Sequence, residues 1–270
     1  MKIVTLVENR VSQKNLIAEH GLSFLIEHKG KQVLFDIGAS KNFALNAQQL
    51  GINIGRVDFL VISHGHDDHI GGLSSFLERN EKASIILKKE VLYPKFKHSA
   101  YIGIDRSVNT SHSRFVQLEK PMELVPDIFV MPNIARHYSI DNHMNGFLIQ
   151  WNDELVEDQF DDELFLVLKS NRSISVLSSC SHTGITNMVE TARQYFHLPV
   201  ENVIGGFHIK DEGTEIVDHL LTYFSLNNIK NIYTGHCTGI EKFVQLSAPN
   251  KVNVLYNETG NVINLNSEDD

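Results

Sequence analysis

Apolar residues along this chain alternate with polar ones, or gather in short unbroken runs, more often than they recur at helical spacing. KIVTLVE (2–8) and LSFLIEHKGKQVLFDIG (22–38) read as strands, and the polar His28-Lys29-Gly30-Lys31 between two apolar runs predicts a hairpin. In 40–50, Phe43, Ala44, Ala47 and Leu50 fall on one helical face, with Ser40 as the expected N-cap and Gly51 as the stop. VDFLVIS (57–63) is a short strand, LSSFLERN (73–80) has helical spacing, and ASIILKK (83–89) returns to strand. Residues 93–145 hold four prolines and scattered polar positions, and predict irregular surface excursions. Strands are expected at 163–169, 173–179, 202–206 and 231–235, with helices near 184–196 and 213–227. VNVLYN and NVINL give C-terminal strand signals. Strands interleaved with helices predict an α/β sandwich of two mixed sheets with helices outside, built as one domain over 1–270.

Composition narrows the class. The chain has 270 residues, enough for one large buried core. No apolar run approaches the roughly 18 residues that cross a bilayer. The N-terminus turns polar after Val7, unlike a signal peptide, so a cytoplasmic chain is expected, with no membrane partner. Cys180 and Cys237 are too few for a disulfide framework. Lys and Arg total 24 against 33 Asp and Glu, and the resulting −9 argues against nucleic acid as a partner. Fourteen histidines are the one compositional oddity, so their placement matters.

Four apolar strands each run into a histidine. Residues 57–63 lead to His64-Gly65-His66-Asp67-Asp68-His69, and 173–179 to Cys180-Ser181-His182. Residues 202–206 lead to Phe207-His208, and 231–235 to His236-Cys237. If the strands share an orientation, their ends carry imidazoles to one edge, where open α/β sheets place ligands. His64 and His66, two apart, project to one side of extended backbone and can share an ion. Asp68 and His69 follow and can face a second. Imidazole and carboxylate suit zinc, and also iron or manganese. A solvated loop that happens to be rich in histidine is the bland alternative, and three His and two Asp in six residues speak against it.

His64-x-His66-x-Asp68-His69 resembles the metal-binding motif of the metallo-β-lactamase-fold superfamily. LFDIG, with Asp36, is similar to that superfamily's first motif, whose acid supports the metal loop. AEHGLSFLIE, VLFDIGAS, NAQQLGI, VISHGHDDHIGGL, SCSHTGI, VIGGFHI and GHCTG resemble, in order, the subgroup named for a dihydropterin-forming synthase with a ribofuranosylaminobenzene 5′-phosphate product. These blocks span roughly Glu19 to Gly239. The resemblance implies a four-layered αββα sandwich and one or two divalent ions. It implies that His64, His66 and His182 hold the first ion, and that Asp68, His69 and His236 hold the second. His208 resembles a further active-site histidine, as ligand, proton donor or substrate contact. One departure stands out: the superfamily's bridging Asp is replaced by Ser179-Cys180-Ser181-His182, without a carboxylate.

Other residues carry two readings each. Cys180 and Cys237 could offer thiolates, but fit better as small apolar residues at buried strand ends. His20 is as readily a strand-start histidine as a pocket residue. Gly71-Gly72 could aim amides at an anion ahead of the next helix, or simply allow a tight turn. The acidic stretch 153–163 reads as a solvated loop, from which Asp162 could support the site. A metal-bound hydroxide attacking a small, phosphorylated or pterin-like substrate is the expected chemistry, with His208 and Asp68 as its catalytic side chains. The competing readings are a nucleic-acid-processing hydrolase of the same fold and a non-catalytic metal-binding sensor. Sequence leaves the oligomeric state open.

Overall fold

The hairpin expected from His28-Lys29-Gly30-Lys31 forms, because Lys29 and Gly30 both take the positive φ that a tight two-residue turn needs. The computed structural model describes residues 1–248 and 252–265. The chain divides into two compact units: Met1–Glu119 with Met144–Asp162 and Glu258–Asp270, and Lys120–His143 with Glu163–Asn257.

In the first unit, β1 (Lys2–Val7), β2 (Ser23–His28) and β3 (Lys31–Phe35) run antiparallel, then β4 (Phe59–Val61) and β5 (Ser84–Leu87) join in parallel. A second, smaller sheet of this unit contains β6 (Lys95–Lys97) and β7 (Ala100–Tyr101). The large sheet continues with β8 (Phe115–Gln117), parallel to β5. In the other unit, β9 (Met122–Val125), β10 (Ile128–Met131), β13 (Phe165–Lys169) and β14 (Ile174–Leu177) pair antiparallel. There β15 (Val200–Gly205), β16 (Asn231–Thr234) and β17 (Asn253–Tyr256) extend the sheet in parallel from β14. The hairpin of β11 (Phe147–Trp151) and β12 (Glu154–Glu157) completes the small sheet, and β18 (Val262–Asn264) closes the edge beside β1. Among the described residues each large sheet therefore has seven strands, half of its pairings antiparallel and half parallel.

Helices too short to persist alone are held by their apolar faces. In the first unit α1 (Asn42–Gln49) sets Phe43, Ala44 and Ala47 against Leu6, Leu25 and Leu34. The one-turn helix α2 (Asp67–Ile70) and α3 (Leu73–Arg79) add Ile70, Leu73 and Phe76. In the other unit α4 (Ile185–Phe196) and α5 (Glu215–Leu226) bury Met188, Val189, Leu220 and Phe224 with Val176, Val203 and Phe207. The last helix is α6 (Ile240–Leu246). Each fully buried side chain of this size contributes roughly 1.5–3 kcal/mol.

The α/β class with large mixed sheets and helices matches the expectation, while three local readings are refined. Residues 93–145 are largely irregular but include five short strands, β6 to β10, of two to four residues each. Such strands carry too few positions to display a period, and β6, β8 and β10 each also pair with a strand about 30 or more residues away. Helix α1 starts one residue later than a Ser40 cap would place it, after Lys41. Ser40 still receives the Asn42 amide at 3.2 Å, and its hydroxyl donates to Glu19. Part of the acidic stretch 153–163 is strand β12, whose four residues are exposed.

Asn46 of α1 is buried. Its side-chain amide donates to the Leu6 and Ile17 carbonyls at 2.7 and 2.8 Å, and its carbonyl accepts the Ile17 amide at 2.8 Å. Asn46→Ala strands all three backbone groups and should lower stability by about 2–3 kcal/mol. Urea denaturation checks this; a midpoint unchanged at constant slope would contradict it.

Candidate metal centre

Strands β3 and β4 are parallel neighbours, so their ends bring Asp36 and the loop after Val61 together. The Asp36 amide donates to the Val61 carbonyl at 2.9 Å, with Asp36 in the left-handed region at φ 57°. From there its buried carboxylate accepts the Ser63 amide (2.7 Å), the Ser63 hydroxyl (2.7 Å) and His69 Nδ1–H (2.9 Å). Because the Ser63 proton is committed to Asp36, Ser63 Oγ can only accept from His64 Nδ1–H, at 2.8 Å. Both imidazoles are thereby fixed with Nε2 as the nitrogen left for coordination, the arrangement common to metal-ligating histidines. His64 lies 4.6 Å from the His66 ring and 4.4 Å from the His69 ring, and all three are buried. The His66 ring stacks on Phe147 at 5.0 Å.

Asp68 Oδ2 approaches His69 Nε2 and His20 Nε2, each at 3.4 Å. Of the two readings of His20, the structure places it beside Asp68, largely exposed. Burial, then the charges of His69 and His66, holds the His64 imidazole well below its usual pKa, so it is neutral and able to coordinate. At His69 burial works against the charge, but Asp68 and Asp36 prevail and lift its pKa well above the usual value. An ion taken up at His69 must therefore displace a proton.

A buried cation underlies this loop. Lys95 Nζ lies 2.7 Å from Asp158 and 2.9 Å from Asp162, and Asp162 Oδ2 also accepts the Gly65 amide at 2.7 Å. Gly65 has no room for a side chain, since a Cβ there would sit 2.5 Å from the Val91 carbonyl and 2.8 Å from the Lys95 stem. Gly71 and Gly72 serve close packing as well. Their amides donate to Asp67 and Gly38 carbonyls, which spends them on backbone and leaves none for an anion.

In the other unit, β14, β15 and β16 are adjacent and parallel, so Cys180–His182, His208 and His236 leave from one edge of one sheet. His182 Nδ1 donates to the His143 carbonyl at 3.0 Å, again reserving Nε2. Glu163 fixes the same loop by accepting the His182 amide (2.7 Å), the Thr183 amide (2.8 Å) and the Thr183 hydroxyl (2.5 Å). The His182 and His208 rings are 4.0 Å apart. Ser181, His208 and His236 all take left-handed φ, between 50° and 57°. Such backbone costs about 1–3 kcal/mol per residue and collects where a site over-determines it. Donor atoms of Cys180, His182 and His208 lie within 4.8 Å of one another, as do those of Cys180, His236 and Cys237. Burial alone would raise the Cys237 thiol, but its contact with Cys180 and the charges of His236 and His208 bring it well below the usual value. His143 is held above its usual pKa: burial opposes the charge, and Asp141 and Glu212 outweigh it.

Every histidine and aspartate singled out by sequence thus lies in one of these two clusters, His64, His66, Asp68 and His69 in the first and His182, His208 and His236 in the second. Sequence reasoning missed Ser63, Lys95, Asp158, Glu163 and His143. Only the smallness of Ser63 beside the motif and the acidity of 153–163 hinted at any of them.

The sequence model of the metallo-beta-lactamase superfamily matches residues 16–148. An uncharacterized protein of Methanocaldococcus jannaschii, MJ0448, is 30% identical over 97% of this chain and all of its own length. The chain belongs to the metallo-β-lactamase superfamily. Within it, the 7,8-dihydropterin-6-methyl-4-(beta-D-ribofuranosyl)-aminobenzene-5′-phosphate synthase of M. jannaschii is 29% identical over 89% of this chain and 88% of that protein. Among solved structures, Tm1679, described as a metal-dependent hydrolase of the beta-lactamase superfamily, superposes with a TM-score of 0.86. It is 28% identical and covers 98% of this chain and 99% of its own. The metallo-β-lactamase fold and the kinship with dihydropterin-synthase-like proteins agree with the sequence reading. No helix among the described residues is long and apolar enough to cross a membrane.

A methyl group added at Gly71 would lie 2.4 Å from the Ala39 and Asp67 carbonyls, and one at Gly72 would lie 2.4 Å from that of Ile37. Gly71→Ala and Gly72→Ala should each destabilise by about 1–3 kcal/mol. Thermal unfolding unchanged in either variant would show that the His loop has slack it does not display.

Proposed function

We propose that this chain is a metal-dependent enzyme acting on a small, phosphorylated or pterin-like molecule in the cytoplasm. His64, His66 and His182 hold one divalent ion, and Asp68, His69 and His236 hold a second. Zinc is the ion best suited to this set, with iron and manganese as the next candidates. The observation that carries the reading is the fixing of three imidazoles through Nδ1, by Ser63, Asp36 and the His143 carbonyl, with Nε2 reserved in each. The substrate class rests on kinship with the M. jannaschii synthase.

A bound ion would supply a Lewis acid and lower the pKa of water toward neutrality. The protein's own groups do the rest. Burial keeps His64 neutral, as a ligand must be. Asp36 and Ser63 prevent the rings from turning, so no reorganisation is required when substrate arrives. Asp68 acts both as a ligand and as the carboxylate that orients the attacking water's proton. His208 is not required to complete three protein ligands for either ion, and its imidazole protonates the leaving group.

Elemental analysis of purified protein should find one to two transition-metal ions per chain, and His66→Ala should lose most of the first. Equal loading of wild type and variant would remove this loop from the centre. His208→Ala should keep its metal yet lose turnover by about 10²–10⁴-fold. The substrate for that comparison comes from a screen of phosphomonoesters, phosphodiesters, lactones and pterin precursors. Loss of metal from His208→Ala would make it a ligand instead.

A further inference from the structure

Two sulfur atoms lie within the second cluster. Cys180 and Cys237 are both buried, and Cys180 is common to both groups of donor atoms there, one with His182 and His208, the other with His236 and Cys237. Cys237 is held by the backbone: its sulfur accepts the His208 amide at 3.2 Å and donates to the Cys180 carbonyl at 3.6 Å. Gly206 gives that sulfur its seat, since a Cβ there would sit 2.5 Å away. Cys180 follows Ser179 at the end of β14, and the next two residues turn the chain through left-handed Ser181 to His182. Across that turn the sulfur of Cys180 and the imidazole of His182 remain in one donor group.

We infer that Cys180 is a metal ligand, its thiolate shared between the His182/His208 and His236/Cys237 donor groups, and that Cys237 positions it. On uptake the Cys180 S–H bond breaks, its proton leaves to solvent, and the sulfur lone pair bonds the ion. No oxidant or reductant takes part. A thiolate among imidazoles selects a borderline-soft ion and disfavours manganese or magnesium, so the centre prefers zinc, or cobalt as its spectroscopic substitute. The inference rests on the metal-dependent reading above and adds sulfur to it.

Cobalt(II) titrated into the metal-free protein separates the two claims. A thiolate ligand gives a sulfur-to-cobalt charge-transfer band in the near ultraviolet, which a site of nitrogen and oxygen donors does not. Wild type and Cys237→Ser should show the band. Cys180→Ser should lack it and bind cobalt more weakly by more than the roughly 10–100-fold that losing an outer partner causes. X-ray absorption on zinc-loaded wild type needs no variant to fold, and should show a sulfur neighbour at about 2.3 Å. Cobalt binding without the band, or zinc with nitrogen and oxygen neighbours alone, overturns the inference and leaves the metal-dependent reading standing. Failure to bind cobalt at all overturns both. A band that survives in Cys180→Ser but vanishes in Cys237→Ser would assign the ligand to Cys237 and overturn it likewise.

Discussion

The first cluster depends on one buried carboxylate. Asp36 sits in left-handed backbone, a conformation costing an L-residue roughly 1–2 kcal/mol. Its amide is held by Val61, and its two oxygens hold Ser63 twice and His69 once. A buried carboxylate with three donors is well compensated, whereas one with none would be costly. The two ends of β3 and β4 are thus tied through a charge that requires those donors. Through Ser63 the constraint passes on to His64, so one acid orients two imidazoles.

The second cluster reaches a similar state with different parts. There a backbone carbonyl, that of His143, takes the role at His182 that Asp36 takes at His69. Glu163 holds the loop by its amides instead of by the ring. Three parallel strands deliver Cys180–His182, His208 and His236 to one edge, and left-handed turns at Ser181, His208 and His236 bend the chain there. Strand geometry alone sends successive side chains to opposite faces. A left-handed residue interrupts that alternation, which explains why strain gathers at the strand ends and not within the strands.

What could be read from sequence follows from how local each signal is. The motif residues His64, His66, Asp68 and His69 lie within six positions, and the strands before His182, His208 and His236 are apolar runs that close on Ser179, Gly206 and Gly235. The supporting residues have no such local sign. Lys95 is fully buried, yet its partner Asp158 lies 63 residues further on, and Asp158 sits in a stretch whose composition suggests solvent. Glu163 closes the same stretch, and its pairing with the His182 and Thr183 amides, some 20 residues on, leaves no local sign. Helix α6 went unread because it is one short segment after Gly239, and its buried Lys242 is satisfied by the distant Gly213 carbonyl at 2.8 Å. The strands between 93 and 131 leave as little sign: they are too short to show a period, and β6, β8 and β10 depend on partners remote in sequence.

Charge explains why this much support is needed. His64 and His69, 4.4 Å apart, are pushed in opposite directions, the first neutral through burial and the second charged through two carboxylates. Two buried rings this close repel each other when both are cationic. Of this pair the positive charge therefore rests on His69, the ring that Asp36 and Asp68 flank. A divalent cation bound there would meet the same two carboxylates. The frame built by Asp36 and Ser63 holds both imidazoles by Nδ1, so their orientation is set by the fold itself.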